Sequence, residues 1–443
     1  MTLLGDGTEK NKMHVESTVL QLDTGQRLTL IPWFQGDKAG KTTQVHTFHQ
    51  VDLCQDAFDL VYDKAKSELR RQANMPEKAP AGRLLCGVKN TMNDRASVEK
   101  KRVNEIEAAI QILLGDPDFT LNRGECGHHQ IGLFANAVQT VDHKLIVDRV
   151  GRDVDKRINE FKSDNAVDTA QRQLALLFGH HAGAYPLFGN GVIAFPTWFG
   201  KKFPGMKLHK MDRQVGNRHG ILLKNAMVHY AMFDPYMEWC TYMKEDVKDE
   251  NALHNRVLSK LATRELKASI RARGLYYAKI HHLLLTLIKS KERGATTKTM
   301  CEVMTKLKSF CLRMSTDASP LLDPAVKLFP DDPVHTEYDK WACSTNNAIL
   351  ISKLLAPDEN TRELTLSCLQ AYCASVVDQL QSNSSEYIEG GEIWTLYNTP
   401  EDEITDEQKL KRKHFEACPT TSDAMVRFMF FCTSLVPTRL CFF

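Results

Sequence analysis

Residues 253–288, LHNRVLSKLATRELKASIRARGLYYAKIHHLLLTLI, contain the patterns that decide the fold. In the first half, cationic side chains recur at spacings of four, four, three and four residues: Arg256, Lys260, Arg264, Lys267 and Arg271. Because these spacings follow the helical repeat, they predict one helix with a cationic face. A neighbouring apolar stripe, with Val257 and Leu261, would anchor this helix to the core.

Gly274 is predicted to end that helix. The following run, LYYAKIHHLLLTLI at 275–288, is apolar nearly all round and predicts a buried helix. We interpret His281 and His282, inside this run, as core or interface residues. A third, amphipathic helix is predicted from apolar residues at helical spacing: Met300, Val303, Met304, Leu307, Phe310 and Cys311.

The rest of the chain predicts a mainly α fold: two helical lobes joined by a glycine-rich middle, with a small N-terminal β-hairpin. The hairpin is predicted from two β-like runs in MHVESTVLQLDTGQRLTLIPWF, 13–34, around a turn at 23–26. The predicted domains are a hairpin and flexible arm (1–50), an N-terminal helical lobe with glycine-rich loops (51–245), a C-terminal helical lobe, basic then acidic (246–425), and an apolar tail (426–443).

The net charge of +2, from 57 Lys and Arg against 55 Asp and Glu, conceals a strong segregation of charge. Residues 253–314 hold fourteen cations and three acids, whereas 315–407 hold four cations and eighteen acids. A second basic block, 199–224, holds seven cations and one acid. Such separation suits a polyanion-binding surface, and it also suits head-to-tail self-association.

Within the second basic block, FGKKFPGMKLHKMDRQVGNRHG at 199–220, Phe203 and Met206 alternate with cations. Cations meet backbone phosphates while an aromatic ring offers a stacking surface, so this composition indicates sequence-independent binding of single-stranded RNA. A solvated cationic face with internal acidic partners is the competing interpretation, and the sequence leaves both open. The predicted RNA-binding residues are Lys201, Lys202, Lys207, Lys210, Arg213, Arg218, Arg256, Lys260, Arg264, Lys267, Arg271 and Arg273.

Several other functions are not indicated. GDKAGKTT at 36–43 has only three residues between Gly36 and Gly40, one fewer than a phosphate-binding P-loop, and is interpreted as a basic connector. No catalytic constellation is recognisable, so we predict neither an enzyme nor a cofactor. Twelve scattered cysteines without a C-x-x-C pair predict reduced thiols and no metal site. No apolar run reaches the roughly 18 residues of a membrane span.

In size and layout the chain resembles the nucleoproteins of negative-strand RNA viruses. The resemblance implies RNA held in a groove between the lobes and self-association through the N-terminal arm and the apolar C-terminal tail. It also implies contact with a viral polymerase, and a location in the virion and host cytoplasm, with KLKRK at 409–413 a candidate nuclear import signal. The alternative is a helical capsid or structural protein that assembles through charge-complementary faces without direct RNA binding.

Overall fold

The structure, a computed structural model, describes residues 2–10, 13–21, 27–29, 33–35, 88–93, 97–125, 127–150, 166–178, 189–212, 220–246, 252–289, 296–330, 332 and 334–416. The P-loop-like stretch at 36–43, the predicted hairpin turn at 23–26 and the apolar tail at 426–443 lie outside this set.

The described part of the chain is mainly helical, which confirms the predicted fold class at that level. The helices are α1 Ser97–Leu114, α2 Gly127–Val150, α3 Ala166–Phe178, α4 Gly189–Lys202, α5 Ile221–Ala231, α6 Phe233–Glu245, α7 Ala252–Leu261, α8 Arg264–Tyr276, α9 His282–Lys289, α10 Thr297–Thr316, α11 Val334–Ala342, α12 Thr345–Leu355, α13 Arg362–Asn383, α14 Glu392–Asn398 and α15 Asp406–Glu416. A π-helical turn, Tyr277–His281, joins α8 to α9, and short 3₁₀ helices cover Ser319–Leu322 and Ser385–Tyr387. No helix within the described ranges is long and apolar enough to cross a bilayer.

The chain divides into two compact units. Unit 1 comprises Met1–His129, Ala295–Cys301 and Glu392–Phe443, and unit 2 comprises Gln130–Gly294 and Glu302–Gly391. The predicted domain boundary between residues 245 and 246 therefore falls inside unit 2, where α6 packs against α7. The two-lobe layout with its glycine-rich middle stays a prediction.

Unit 1 contains a sheet with the strands β1 Thr2–Lys10, β2 Met13–Gln21, β3 Arg27–Thr29, β4 Trp33–Gln35, β5 Asn90–Asn93 and β6 Asn122–Glu125. Their order in the sheet is β3-β2-β1-β5-β6, and β4 also pairs with β2. β1 runs antiparallel to β2 and parallel to β5. β2 and β3 pair antiparallel, but the connecting turn is not described and the hairpin stays a prediction. α15 packs beside β6.

The core of unit 2 is built around α8, which packs most extensively against α5 and α13. From Leu266 to Tyr276 every residue except Lys267 is buried. Gly274 permits the close approach of α5 and α12 to α8, because a Cβ there would lie 2.8 Å from Leu354 Cδ2 and 3.3 Å from Met227 Cα. The expectation that Gly274 ends the helix is wrong: α8 continues through it to Tyr276.

The single cationic helix predicted from Arg256 to Arg271 is also wrong, because the structure divides it into α7 and α8. Thr263, between them, is extended at φ −88° and ψ 118°. Its Oγ1 donates to Ser259 O over 3.4 Å. A threonine is a favoured residue at a helix N-terminus, where its side chain competes with the helical backbone for hydrogen bonds. The predicted buried helix at 275–288 is observed as the end of α8, the π turn and α9.

Candidate nucleic-acid interface

The described lysines of the second basic block lie at the surface of unit 2. Lys201 and Lys202 end α4, and Lys207 and Lys210 follow in an irregular segment; all four are exposed. Lys202 forms a 3.5 Å ion pair with Glu238. Among the residues that the structure describes, the other three have no acidic partner.

The segment 207–212, called here the lysine segment, is held against the core by alternate side chains. His209 and Met211 are buried, whereas Lys210 and Asp212 are exposed. This period of two is that of an extended chain, in which successive side chains point to opposite sides. Anchoring through His209 and Met211 therefore turns Lys210 outward.

Asn225, a buried residue of α5, fixes the end of the lysine segment. Its Oδ1 accepts a hydrogen bond from Asp212 N, and its Nδ2 donates to Asp212 O, each over 3.0 Å. A single side chain thereby satisfies both main-chain groups of Asp212. Lys224 also forms an ion pair with the Asp212 carboxylate. The backbone that carries the lysines is consequently attached to a core helix.

Arg273 anchors a second, fully buried connection to this segment. Its Nε donates to Asp142 Oδ2 over 2.8 Å, and its Nη1 lies 2.5 Å from Asp168 Oδ1. Burial alone would lower the pKa of Arg273, but the two carboxylates raise it above its ordinary value, so the guanidinium is charged. Ser269 and Tyr372 donate further hydrogen bonds to Asp142.

Gln171 links this charged cluster to the lysine segment. Its Oε1 accepts from Arg273 Nη1 over 2.8 Å, which turns its Nε2 toward His229 Nδ1, 3.1 Å away. His229 Nε2 in turn lies 2.6 Å from Met211 Sδ. Burial, with a smaller effect of Arg273, lowers the pKa of His229 to about 3, so the ring is neutral and Nε2–H faces the sulfur. Arg273 therefore helps to position the lysine segment, through Gln171, His229 and Met211.

A pocket of about 380 Å³ lies beside the lysine segment. Lys207, Lys210 and Lys224 contribute its cationic side. Met227, Val228 and Leu350 contribute buried apolar side chains. Trp341, Asn346 and Asn347 also line the pocket. The pocket thus combines cations, an aromatic ring and amides, which together suit a ligand with an anionic end and a flat, polar-edged end.

Trp341, at the end of α11, is held by other aromatic rings. It stacks on His282 with ring centroids 3.7 Å apart and planes at 26°. Tyr338 lies 5.6 Å away, and the Tyr338 hydroxyl donates to Ala278 O over 2.6 Å. Asn347 Nδ2 donates to Trp341 O over 3.0 Å. The indole is therefore fixed before any ligand arrives.

The predicted site residues on α7 and α8 separate into exposed and buried groups. Arg256 and Arg264 are exposed, and Arg264 Nε donates to Asn360 O. Lys260 is buried, with its Nζ 2.5 Å from Gln173 Oε1. Arg273 is buried in the cluster described above.

Arg271 and Lys267 also turn toward neighbouring elements of the same unit. Arg271 donates to Leu354 O in the last turn of α12 and to Ala356 O directly after it, and the C-terminus of a helix is a favoured place for a cation. Lys267, half-buried, lies 3.7 Å from Asp358. Burial places Lys260, Arg271 and Arg273 out of reach of a phosphate, and this corrects their predicted role. Arg213 and Arg218 lie outside the described residues.

The sequence did not indicate Trp341, Asn346 or Asn347 as parts of the site. They belong to the acidic half of the chain, more than 130 residues after Lys207 and Lys210. The weak signal is a tryptophan shortly before two asparagines in WACSTNN, 341–347, which by itself is typical of a helix boundary.

Comparison with known proteins adds no family to these observations. No family model matches the chain, and neither a curated protein nor a solved structure shows a significant match.

Proposed function

We propose that this protein binds single-stranded RNA through its phosphates, without reading sequence, and packages it as a self-assembling nucleoprotein. The observation that carries the proposal is a pair of exposed lysines, Lys207 and Lys210, that line a pocket with a fixed tryptophan. Cations for the backbone and an aromatic surface for the bases are the two elements that sequence-tolerant single-strand binders combine.

Only the exposed cations belong to the proposed interface, because a buried cation cannot reach a phosphate. Its described members are Lys201, Lys202, Lys207, Lys210, Arg256 and Arg264, all of them exposed. In this proposal self-association uses the N-terminal arm and the C-terminal tail, and a viral polymerase is a further partner. The proposal also includes the two-lobe layout, the N-terminal hairpin and a location in the virion and host cytoplasm.

Salt dependence provides the test. We would remove bound RNA with nuclease and a high-salt wash, then measure the binding of labelled single-stranded RNA by fluorescence anisotropy at increasing salt. The logarithm of the association constant should fall linearly with the logarithm of salt concentration, by about 0.7 for each phosphate that the protein neutralises. Oligomers of uridine and adenosine should bind with similar affinity.

Two matched double variants locate the interface. Lys207→Gln with Lys210→Gln should weaken RNA binding and reduce the salt slope, by about 0.7 for each phosphate that is no longer neutralised. Lys298→Gln with Lys306→Gln removes the same charge from exposed positions of α10 and should change neither. Equal effects of the two pairs, or binding without salt dependence, would contradict the proposal.

A second candidate function is a structural protein that assembles through complementary charges. It is favoured by the partial pairing of the basic segment with the acidic one inside unit 2. Lys267 lies 3.7 Å from the Asp358 carboxylate, and Lys279 Nζ contacts the acidic segment through the main-chain carbonyl of Asp323 over 2.8 Å. A purified protein with no RNA absorbance before the high-salt wash that still forms rings or filaments would support this candidate.

A further inference from the structure

We propose that the pocket beside the lysine segment binds one nucleotide of the RNA, with the base against Trp341 and the phosphate at Lys207 and Lys210. This inference rests on the proposed function and specifies how the strand is held. The juxtaposition that suggests it is tertiary, because α5, α11 and α12 bring their side chains to the lysine segment.

The shape and lining of the pocket suit a nucleobase. Its volume of about 380 Å³ falls in the range of small-molecule sites, about 300–1,000 Å³. A base presents apolar faces and a polar edge. Met227, Val228 and Leu350 offer a buried apolar surface, against which the hydrophobic contact of a flat ring is favourable.

Trp341 supplies the stacking surface. Its ring already stacks on His282, and its main-chain carbonyl accepts from Asn347. Because the indole is ordered before binding, stacking a base on it loses little conformational entropy. Base stacking on an aromatic ring is tolerant of sequence, as a non-specific RNA binder requires.

The two asparagines give the base edge donors and acceptors. Asn346 is exposed at the pocket, and Asn347 uses Nδ2 for Trp341 O, which leaves its Oδ1 as an acceptor. A carboxamide carries both kinds of hydrogen-bonding group. This pair can therefore meet the edge of either a purine or a pyrimidine.

The cationic side of the pocket carries enough positive charge to bind one phosphate. Lys224 is paired with Asp212, so its charge is balanced locally. Lys207 and Lys210 have no acidic partner in the part of the chain that the structure describes. Burial and the nearby Lys207 lower the pKa of His209, so this imidazole adds no charge at neutral pH. Two lysines thus remain for the phosphate.

Calorimetry with small ligands tests the pocket on the full-length, RNA-free protein. We expect adenosine monophosphate to bind more tightly than ribose 5-phosphate, by about fivefold or more, which is the typical effect of stacking one base. Trp341→Ala should abolish that preference and leave ribose 5-phosphate binding unchanged. Lys207→Gln with Lys210→Gln should weaken both ligands.

Control variants separate loss of the site from loss of the fold. Trp394→Ala, at a half-buried tryptophan of unit 1 that does not line the pocket, should have no effect on either ligand. Asn346→Trp changes an exposed residue and fills the pocket, so it should abolish binding of adenosine monophosphate without lowering Tm. This variant keeps the test decisive if Trp341→Ala unfolds.

Equal affinity for the two ligands, no measurable binding, or an unchanged preference in Asn346→Trp would overturn the inference. RNA anisotropy on the same preparation separates this failure from failure of the proposed function. Salt-dependent RNA binding without a base preference retains the function and removes the nucleotide pocket. Base-dependent nucleotide binding without RNA binding removes the function.

Discussion

Arg273 and Asp142 form an ion pair in the interior of unit 2, with 2.8 Å between Nε and Oδ2 and both side chains inaccessible to solvent. Arg273 is one of the predicted RNA-binding cations. The structure instead places it at the start of a hydrogen-bonded path through Gln171 and His229 to Met211, beside the exposed Lys210. A buried charge thus positions an exposed one.

Replacement of Arg273 should be strongly destabilising. Arg273→Leu leaves the Asp142 and Asp168 carboxylates buried without their counter-charge, and breaking a buried ion pair costs about 3–5 kcal/mol. Urea unfolding measures the loss. Arg362→Leu, at an exposed arginine of α13, is the matched control and should change stability by less than about 0.5 kcal/mol. Similar losses in both variants would mean that the cluster contributes no specific stability.

Gly274→Ala should destabilise the protein although alanine favours helices. The added Cβ would lie 2.8 Å from Leu354 Cδ2, and overpacking of a core typically costs about 1–3 kcal/mol. Gly132→Ala in α2 is the control, because a Cβ there meets nothing within 4 Å. It should be neutral or stabilising by up to about 1 kcal/mol. Equal Tm shifts would show that α8 does not need close approach at Gly274.

His229 predicts a specific loss of stability in acid. Burial and Arg273 lower its pKa to about 3 in the folded protein, against 6.5 for the unfolded chain. The unfolded state therefore binds one more proton between these values, and stability falls as pH drops below 6.5, by about 1.4 kcal/mol per pH unit. In His229→Gln the unfolded chain takes up no proton at this position, because glutamine does not titrate. The difference in unfolding free energy between the two proteins, measured from pH 7 to pH 4, should begin to change near the unfolded pKa of 6.5 and approach that slope below about pH 5.5, and a constant difference would contradict the assignment.

Asn225→Ala should loosen the lysine segment without removing any cation. It deletes both 3.0 Å hydrogen bonds to the main chain of Asp212. Hydrogen exchange should show reduced protection of the Asp212 amide, and RNA affinity should fall although Lys207 and Lys210 are intact. The exposed Asn398→Ala, which loses only a 2.8 Å bond within its own helix, is the control. Full protection of the Asp212 amide in the Asn225 variant would show that the two Asn225 hydrogen bonds do not hold the lysine segment in place.

Part of the proposed interface could be predicted from the sequence. The exposed lysines at 201–210 could be identified because a short segment rich in Gly, Pro and Lys is poorly suited to a core. The cations on α8 misled, because the spacing of Lys267 and Arg271 reports only that they share one helix face. Whether that face meets water depends on the elements that cover it, and Tyr230 of α5 and the Leu354 carbonyl of α12 lie against Arg271 here.

By itself the sequence determined the mainly helical character of the protein and the buried segment after Gly274, since both follow from periodicity and apolar content over neighbouring residues. Tertiary structure decided which cations are buried, why Gly274 is a glycine, and that Trp341 lies beside Lys207 and Lys210. The physical reason is the separation along the chain of the residues on which each property depends. Helix formation depends on contacts within a few residues, whereas burial of Arg273 and assembly of the pocket require side chains far apart in the chain to pack against each other.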